Sequence, residues 1–274
     1  MRILRSILLS LTLTLCLSNI YAQNLEIGVW GGVANYFGDI NTKTSFQFVG
    51  PGGGLFVRNI LSNRFALKHG VAFGIVSFDE SKTTDPHRIQ RNLHFKSNVF
   101  ELGSQLEFNF FAYEQSSQTK FFTPYIFAGL SVFYFNPKAL YEGEWYELQP
   151  LGTEGQNDPN YTGREKYRLI SFAIPIGGGL KYSFSYNFAI GLIFGTRKTF
   201  TDYLDDVSTT YVSPLSLPGG EGSVAYELSD PSVDKIGEAG YQRGNPNKND
   251  DYFFGGISIS YTFMQDKCPK PKGL

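Results

Sequence analysis

The sequence predicts an all-β protein, an eight-stranded antiparallel transmembrane β-barrel with short periplasmic turns and long extracellular loops. Three observations lead to this fold class. Charged residues make up only 18% of the chain, against about 25% in an average soluble domain. Apolar and polar residues are finely interleaved, since 42% of residues are hydrophobic and yet the mean hydropathy is −0.18. Eight alternating segments are long enough to cross a bilayer, and their connections alternate between long and short.

The segment 98–110 shows the alternation most clearly. One face carries Phe100, Leu102, Leu106, Phe108 and Phe110, and the other carries Glu101, Gly103, Gln105, Glu107 and Asn109. A period of two residues is typical of a β-strand. This segment is therefore predicted to be a strand with one apolar face and one polar or small face.

The same pattern predicts eight strands, at roughly 25–34, 47–57, 65–78, 95–110, 121–135, 167–183, 188–200 and 251–263. Most of them exceed the about 5–6 residues usual in soluble sheets. They match the about 9–11 tilted residues that a transmembrane strand needs. After residue 22, no apolar run approaches the about 18 residues of a membrane helix, so we expect any membrane crossing to be by strands.

The predicted connections are alternately long and short, as in outer-membrane barrels. They fall at about 35–46, 58–64, 79–94, 112–120, 136–166, 184–187 and 201–250. This order places both termini in the periplasm and the loops 136–166 and 201–250 outside the cell. Prolines, which donate no ladder hydrogen bond, concentrate in these two loops, at Pro137, Pro150, Pro159, Pro214, Pro218, Pro231 and Pro246.

Three parts are expected along the chain. Residues 1–22 resemble an export signal, with Arg2 and Arg5 before an apolar stretch and a cleavage site after Ala22. Residues 23–263 would form the barrel in the outer membrane, and residues 264–274 a periplasmic C-terminal tail. Because Cys16 leaves with the signal, Cys268 alone would remain, and no intramolecular disulfide is expected.

A soluble β-sandwich or a lipocalin-like barrel is the alternative, in which the apolar face would be buried. The opposite face favours the membrane barrel, because it is rich in glycine and small residues that suit a narrow packed interior. Aromatic residues near strand ends are then expected to form interfacial girdles. These are Tyr36, Phe37, Tyr134, Phe135, Tyr182, Phe184, Tyr261 and Phe263.

Enzyme motifs are missing from the sequence. It contains no G-x-S-x-G, no H-E-x-x-H and no paired cysteines. The net charge of −1 argues against nucleic acid as a partner. We expect a non-enzymatic protein with no cofactor and no small-molecule substrate. Asp202, Asp205 and Asp206 form a weak candidate calcium site, and solvated carboxylates in a loop are the commoner outcome.

Charged residues within the strands are more informative. Lys68, Glu101, Glu107, Lys181 and Arg197 point into the lumen by parity. An eight-stranded barrel has room for side chains but no aqueous channel. Because buried charges must pair, we expect a salt-bridge network that plugs the barrel.

Several blocks of the sequence resemble the PorG-type outer-membrane barrel of the type IX secretion and gliding machinery. They are Glu26–Gly28 through Gly38–Ile40, Arg91–Leu93 with Glu101, Glu107–Phe110, Pro124–Gly129, Trp145–Gln156, Arg197–Ser208, Arg243–Pro246 and Asp250–Tyr252. Together they span nearly the whole mature chain, and the two large-loop blocks are the most specific.

The resemblance implies a structural component that binds a periplasmic ring, made of a lipoprotein and its partner protein, and holds it at the outer membrane. Outer-membrane lipid would be the other partner. The expected interface comprises the turns 58–64 and 112–120 and the tail, with Lys267, Cys268, Lys270 and Lys272. An adhesin or receptor that binds an external ligand through its long loops is the alternative.

Overall fold

The computed structural model describes residues 24–42, 45–115, 117–156 and 158–263. The predicted signal peptide and the predicted C-terminal tail lie outside these described residues. The strands are β1 Asn24–Phe37, β2 Gly50–Ile60, β3 Phe65–Asp79, β4 His94–Asn109, β5 Phe122–Tyr141, β6 Glu144–Glu147, β7 Ile170–Ser183, β8 Phe188–Thr199 and β9 Asp251–Phe263. Short helices are α1 Pro86–Arg91, α2 Leu148–Leu151 and α3 Val224–Ser229, and Glu80–Lys82 and Pro214–Ser216 form 3-10 turns.

Eight of the described strands close into a barrel. Their hydrogen-bonded order is β4-β3-β2-β1-β9-β8-β7-β5, and β4 pairs with β5 to complete the ring. Every neighbouring pair is antiparallel. The eight-stranded antiparallel barrel predicted from the sequence is therefore confirmed.

The two ends of the barrel differ. At one end, here the short-turn end, the strands are joined by residues 61–64, 110–121 and 184–187. The ends of β1 and β9 also lie there, because Leu25 is the ladder partner of Phe263. At the opposite end, the long-loop end, the connections are 38–49, 80–93, 142–169 and 200–250.

The predicted loop 136–166 begins too early. β5 continues to Tyr141 and turns back into β6 through Glu142 and Gly143, which both have positive φ, as a tight hairpin turn requires. Pro137 therefore lies in a strand and not in the loop to which it was assigned. Its ladder partner is Ser97, whose hydroxyl accepts a hydrogen bond from Asn136 N at 3.0 Å.

The outer wall is apolar. Exposed aliphatic side chains fill its middle, among them Val29, Leu55, Leu102, Leu130, Ile176, Ile190, Leu192 and Ile257. On β9 the outward residues run from Phe253 to Phe263, a rise of about 34 Å along the strand. At a tilt of about 40° this is about 26 Å along the axis, close to the ~25 Å apolar band of membrane barrels.

The aromatic girdles are partly as predicted. Tyr134, Tyr182, Phe184 and Phe263 are exposed on the outer wall. The prediction is wrong for Tyr36 and Phe135, because both side chains point into the lumen and are 0% exposed. Aromatic residues near strand ends thus occupy both sides of the wall.

Inward glycines make room for aromatic rings in the lumen. A Cβ added to Gly28 would lie 2.3 Å from the Phe56 ring, and one added to Gly74 would lie 2.4 Å from the Phe254 ring. The glycine-rich face predicted from the sequence is therefore packed against bulky side chains.

The long loops pack over the mouth of the barrel and extend its core. Ile40, Leu148, Leu204, Val207 and Leu228 are buried there, in one cluster with the lumen residues. We call the part formed by 80–93, 142–169 and 200–250 the cap. No helix in the described ranges combines the length and the hydrophobicity required to span a membrane.

Replacing an inward glycine is expected to destabilise the barrel. In Gly177→Ala, the new Cβ would lie 2.3 Å from Phe194 O and 2.6 Å from the Phe127 ring. Overpacking of this kind costs about 1–3 kcal/mol, measured as the free energy of unfolding in urea with the protein in lipid vesicles. Gly31→Ala is the control, because a Cβ there meets nothing within 4 Å. Equal losses in the two variants would contradict the packing argument.

Candidate functional site

Charged side chains from four strands meet in the lumen near the short-turn end. The Glu107 carboxylate on β4 lies 2.8 Å from Arg58 Nε on β2 and 2.6 Å from Lys181 Nζ on β7. Arg58 also pairs with Glu26 on β1. All four side chains are buried. Glu107 thus links strands on opposite sides of the barrel.

Further contacts surround the two lysines of this layer. Lys181 donates to Asn109 Oδ1 at 3.0 Å, and its Nζ lies 4.5 Å from the Tyr125 ring centroid. Lys68 Nζ lies 4.9 Å from the Phe56 ring centroid. Among the described residues Lys68 has no ion-pair partner. Cation–π contact therefore takes the place of the salt bridge expected for Lys68.

A second charged layer lies in the middle of the lumen. Arg197 Nε on β8 is 3.1 Å from Glu101 Oε2 on β4, and the Tyr252 hydroxyl donates to the same oxygen at 2.6 Å. Arg197 also donates to Gly195 O at 2.8 Å. Beside this layer lies a polar cavity of about 20 Å³, lined by Lys68, Gln105 and Arg197 among others. A cavity of that size has room for about one water molecule.

The five lumen residues proposed from the sequence are all buried, but the structure arranges them in two layers. Lys181 joins Glu107, and Arg197 joins Glu101. Sequence reasoning missed Glu26 and Arg58, which supply the remaining charges of the first layer. The alternating sequence pattern could have identified them. Glu26 has the same inward parity as Trp30, and Arg58 has the same inward parity as Phe56.

Above these layers the lumen is filled by aromatic rings. Phe133 lies 5.1 Å from Tyr252 and 5.5 Å from Phe135, and Tyr36 packs edge-on against Phe95 at 4.8 Å, all between ring centroids. Apart from the small polar cavity, side chains thus occupy the passage from the short-turn end to the cap.

An ion pair between two long loops holds the cap together. Arg243 Nη1 lies 3.0 Å from Glu154 Oε1, and both side chains are almost fully buried. Glu154 also accepts from Ser208 N at 2.9 Å and from the Thr209 hydroxyl at 2.6 Å. These donors all come from the loop 200–250, a different part of the cap.

The three acidic residues considered for calcium face different partners. Asp205 accepts from the Tyr36 hydroxyl and from Val207 N, the latter at 2.9 Å. Asp206 accepts from the Tyr167 hydroxyl at 2.7 Å and from Thr153. Within the described part of the chain, no group of three or more His, Cys, Asp or Glu side chains could hold a metal ion.

Burial raises the pKa of several cap carboxyls. The pKa of Asp202 rises to about 8 because the side chain is buried and lies near the charges of Asp39 and Glu154. The pKa of Asp206 rises to about 6, since burial outweighs the opposing charge of Arg243. These carboxyls therefore bind protons more tightly in the folded cap than in the unfolded chain.

Comparison with known proteins gives one family match. The model of a family described as a domain of unknown function (DUF6089) matches residues 5–212. No curated protein matches the chain.

Solved structures of low sequence identity also match. The attachment invasion locus protein Ail of Yersinia pestis is 11% identical, with a TM-score of 0.41 over 88% of this chain and 99% of Ail. Neisserial surface protein A is 8% identical, with a TM-score of 0.44 over 87% and 97%. The N-terminal β-barrel domain of Pseudomonas aeruginosa OprF is 13% identical, with a TM-score of 0.37 over 88% and 98%.

Removing the central lumen carboxylate is expected to destabilise the barrel strongly. Glu107→Gln leaves Arg58 and Lys181 buried without their shared anion, a loss of about 3–5 kcal/mol for a broken buried pair. The measurement is urea unfolding in lipid vesicles. Glu114→Gln is the matched control, because Glu114 pairs with Lys120 at 3.6 Å on an exposed turn, where a pair is worth about 0–1 kcal/mol. A similar loss in both variants would refute the role of Glu107.

The cap is expected to lose stability as the pH rises. The pKa values of Asp202 and Asp206 in the folded cap lie above the value of about 3.9 for an aspartate in the unfolded chain. The protonated side chains therefore make their full contribution to stability below about pH 3.9. It is lost as the pH passes about 6 for Asp206 and about 8 for Asp202. Hydrogen exchange at the amides of Leu204 and Val207, corrected for intrinsic rates, should show protection falling between about pH 5 and pH 9.

Asp202→Asn should remove the part of the decrease in hydrogen-exchange protection that falls near pH 8. Asp234→Asn, at an exposed cap position, should leave the profile unchanged. Protection that stays constant or increases with pH in the unmodified protein would contradict the assignment.

Proposed function

This chain belongs to the DUF6089 family, and we propose that it is a non-enzymatic outer-membrane barrel that serves as a structural component of a protein secretion machine. The observation that carries the proposal is the filled lumen. Two charged layers and a set of aromatic rings occupy it from end to end. A solute would have to break buried ion pairs to pass, so the function belongs to the outer surfaces of the protein.

The outer wall supports placement in the outer membrane. Its exposed side chains are apolar around the barrel, and a closed barrel satisfies every ladder hydrogen bond internally, as a bilayer requires. In a soluble protein an apolar surface of this extent would cause association. The proposed orientation puts the short-turn end in the periplasm and the cap outside the cell, as the loop lengths of such barrels indicate.

The short-turn end is the proposed attachment surface. It exposes aromatic side chains, among them Phe111 at 55% and Tyr186 at 69%, and β9 ends there. The tail with Lys267, Cys268, Lys270 and Lys272 follows directly and lies outside the described residues. The resemblance to PorG-type barrels supplies the partner, a periplasmic ring of a lipoprotein and its partner protein in type IX secretion and gliding.

The cap favours a second candidate, an adhesin-like or receptor-like barrel. Leu215 and Val233 are 91% and 93% exposed on a cap that is otherwise well packed. Ordered loops with exposed apolar tips suit contact with an external ligand.

Cross-linking and affinity purification from native membranes test the proposal. With a tag inserted at Gly222, which lies in open space, we expect the ring proteins to co-purify. Deletion of residues 264–274 should abolish co-purification and leave the heat-dependent gel shift of the barrel unchanged.

Leu215→Ser with Val233→Ser is the matched control. This double variant should still co-purify with the ring proteins. It should reduce binding of the cells to an external ligand or surface only if the protein acts as an adhesin or receptor. A normal set of secreted proteins in a strain that lacks this gene would refute the secretion role.

A further inference from the structure

The outer wall carries three cations close together near the long-loop end. Lys96 on β4 lies directly opposite Lys138 on β5 in the ladder. Arg168 lies two residues before β7. The hydrogen bond from Phe135 N to Leu169 O at 2.9 Å extends the β5–β7 ladder as far as Leu169, the residue next to Arg168. Arg168 is exposed and both lysines are half-buried. We call Lys96, Lys138 and Arg168 the outer cationic patch.

The described part of the protein neutralises the patch only in part. Like charges directly opposite each other destabilise a sheet. Lys138 Nζ lies 2.9 Å from Glu147 Oε1, so this cation is neutralised. Among the residues that the structure describes, neither Lys96 nor Arg168 has an ion-pair partner. Within the described residues, only one of the three cations therefore has a carboxylate partner.

The position of the patch on the wall indicates what neutralises it. Along the same outward face of β4 and β5, the next pairs towards the short-turn end are Asn98 with Asn136, then Phe100 with Tyr134, then Leu102 with Val132. Cations, amides, aromatic rings and aliphatic chains thus follow one another in order. Membrane proteins show the same order of side-chain types from the level of the lipid head groups to the hydrocarbon core.

An aromatic residue lies next to the patch. The Trp145 ring on β6 is 5.4 Å from Lys96 Nζ and is 50% exposed. Tryptophan is enriched at membrane interfaces, where one side of the ring is apolar and the other side is wet. The β5–β6 hairpin therefore borders the patch with an interfacial side chain.

We propose that the outer cationic patch binds the phosphate groups of an anionic lipid in the leaflet next to the cap. The acyl chains would lie against Phe100, Tyr134 and the exposed Phe172. Charge complementarity supports a phosphorylated lipid, since basic residues at the membrane surface each attract anionic head groups. The inference rests on the proposed placement in the outer membrane.

The chain contains a natural control on β8, which is separated from β5 by β7 in the barrel. Lys198 on β8 is also exposed on the outer wall near the long-loop end, but it forms an ion pair with its ladder partner Asp251. Because this cation is already neutralised, it should contribute little to lipid binding.

Retention of lipid by the full barrel tests the inference. The protein is inserted into phosphatidylcholine vesicles that contain a small fraction of bis-phosphorylated lipid A, extracted, and analysed for bound lipid by native mass spectrometry. We expect phosphorylated lipid A to be enriched over its dephosphorylated form. Lys96→Gln and Arg168→Gln should each weaken retention about fivefold, and Lys198→Gln less than twofold. An excess of inorganic phosphate should not displace the lipid.

Other results would overturn the inference. Equal retention of the two forms of lipid A, or equal losses in Lys96→Gln and Lys198→Gln, would show that the patch does not select phosphorylated lipid. Displacement by inorganic phosphate would show a site for the free anion and not for lipid. Failure to insert into vesicles, seen as a missing heat-dependent gel shift, would refute the membrane placement as well, so the two failures are distinguishable.

Discussion

The width of an eight-stranded barrel is the constraint on which the rest of this structure depends. Such a barrel is just wide enough for its own side chains, so each inward residue must complement what lies opposite. Gly177 and Gly195 leave the volume that the Phe127 ring occupies, because a Cβ on either would lie within 2.7 Å of that ring. Glycines and aromatic rings in the lumen are therefore parts of one packing arrangement.

The same constraint decides how charges are accommodated. Removing an ion from water costs several kcal/mol, which is recovered only when its hydrogen-bonding atoms have partners. Glu107 meets this requirement because Arg58 and Lys181 reach it from two other strands. Lys68, which lacks a carboxylate among the described residues, lies against the face of Phe56. Pairing across the lumen thus ties distant strands together.

Residue parity predicted the strands well, because the outward side chain is apolar at almost every second position. The inward face also accepts aromatic rings, so aromatic content near strand ends does not tell which ring faces outward. The adjacent Tyr134 and Phe135 point to opposite sides of the wall, and Tyr36 points into the lumen. The cap could not be predicted for a different reason. Its central ion pair joins Glu154 and Arg243, which are 89 residues apart, and no local pattern encodes such a contact.

The cap and the lumen form one core, and this determines how the protein can act. Tyr36 at the top of β1 donates to Asp205 and lies 3.0 Å from Asp250, so the wall and the cap share buried hydrogen bonds. Lifting the cap would expose Leu204 and Val207, which are 0% and 1% exposed, and would break those bonds. Because such an opening costs so much, the barrel behaves as a rigid body. For the proposed function, this rigidity would keep the short-turn end and the cap at a fixed spacing, which is the mechanical property that a structural anchor needs.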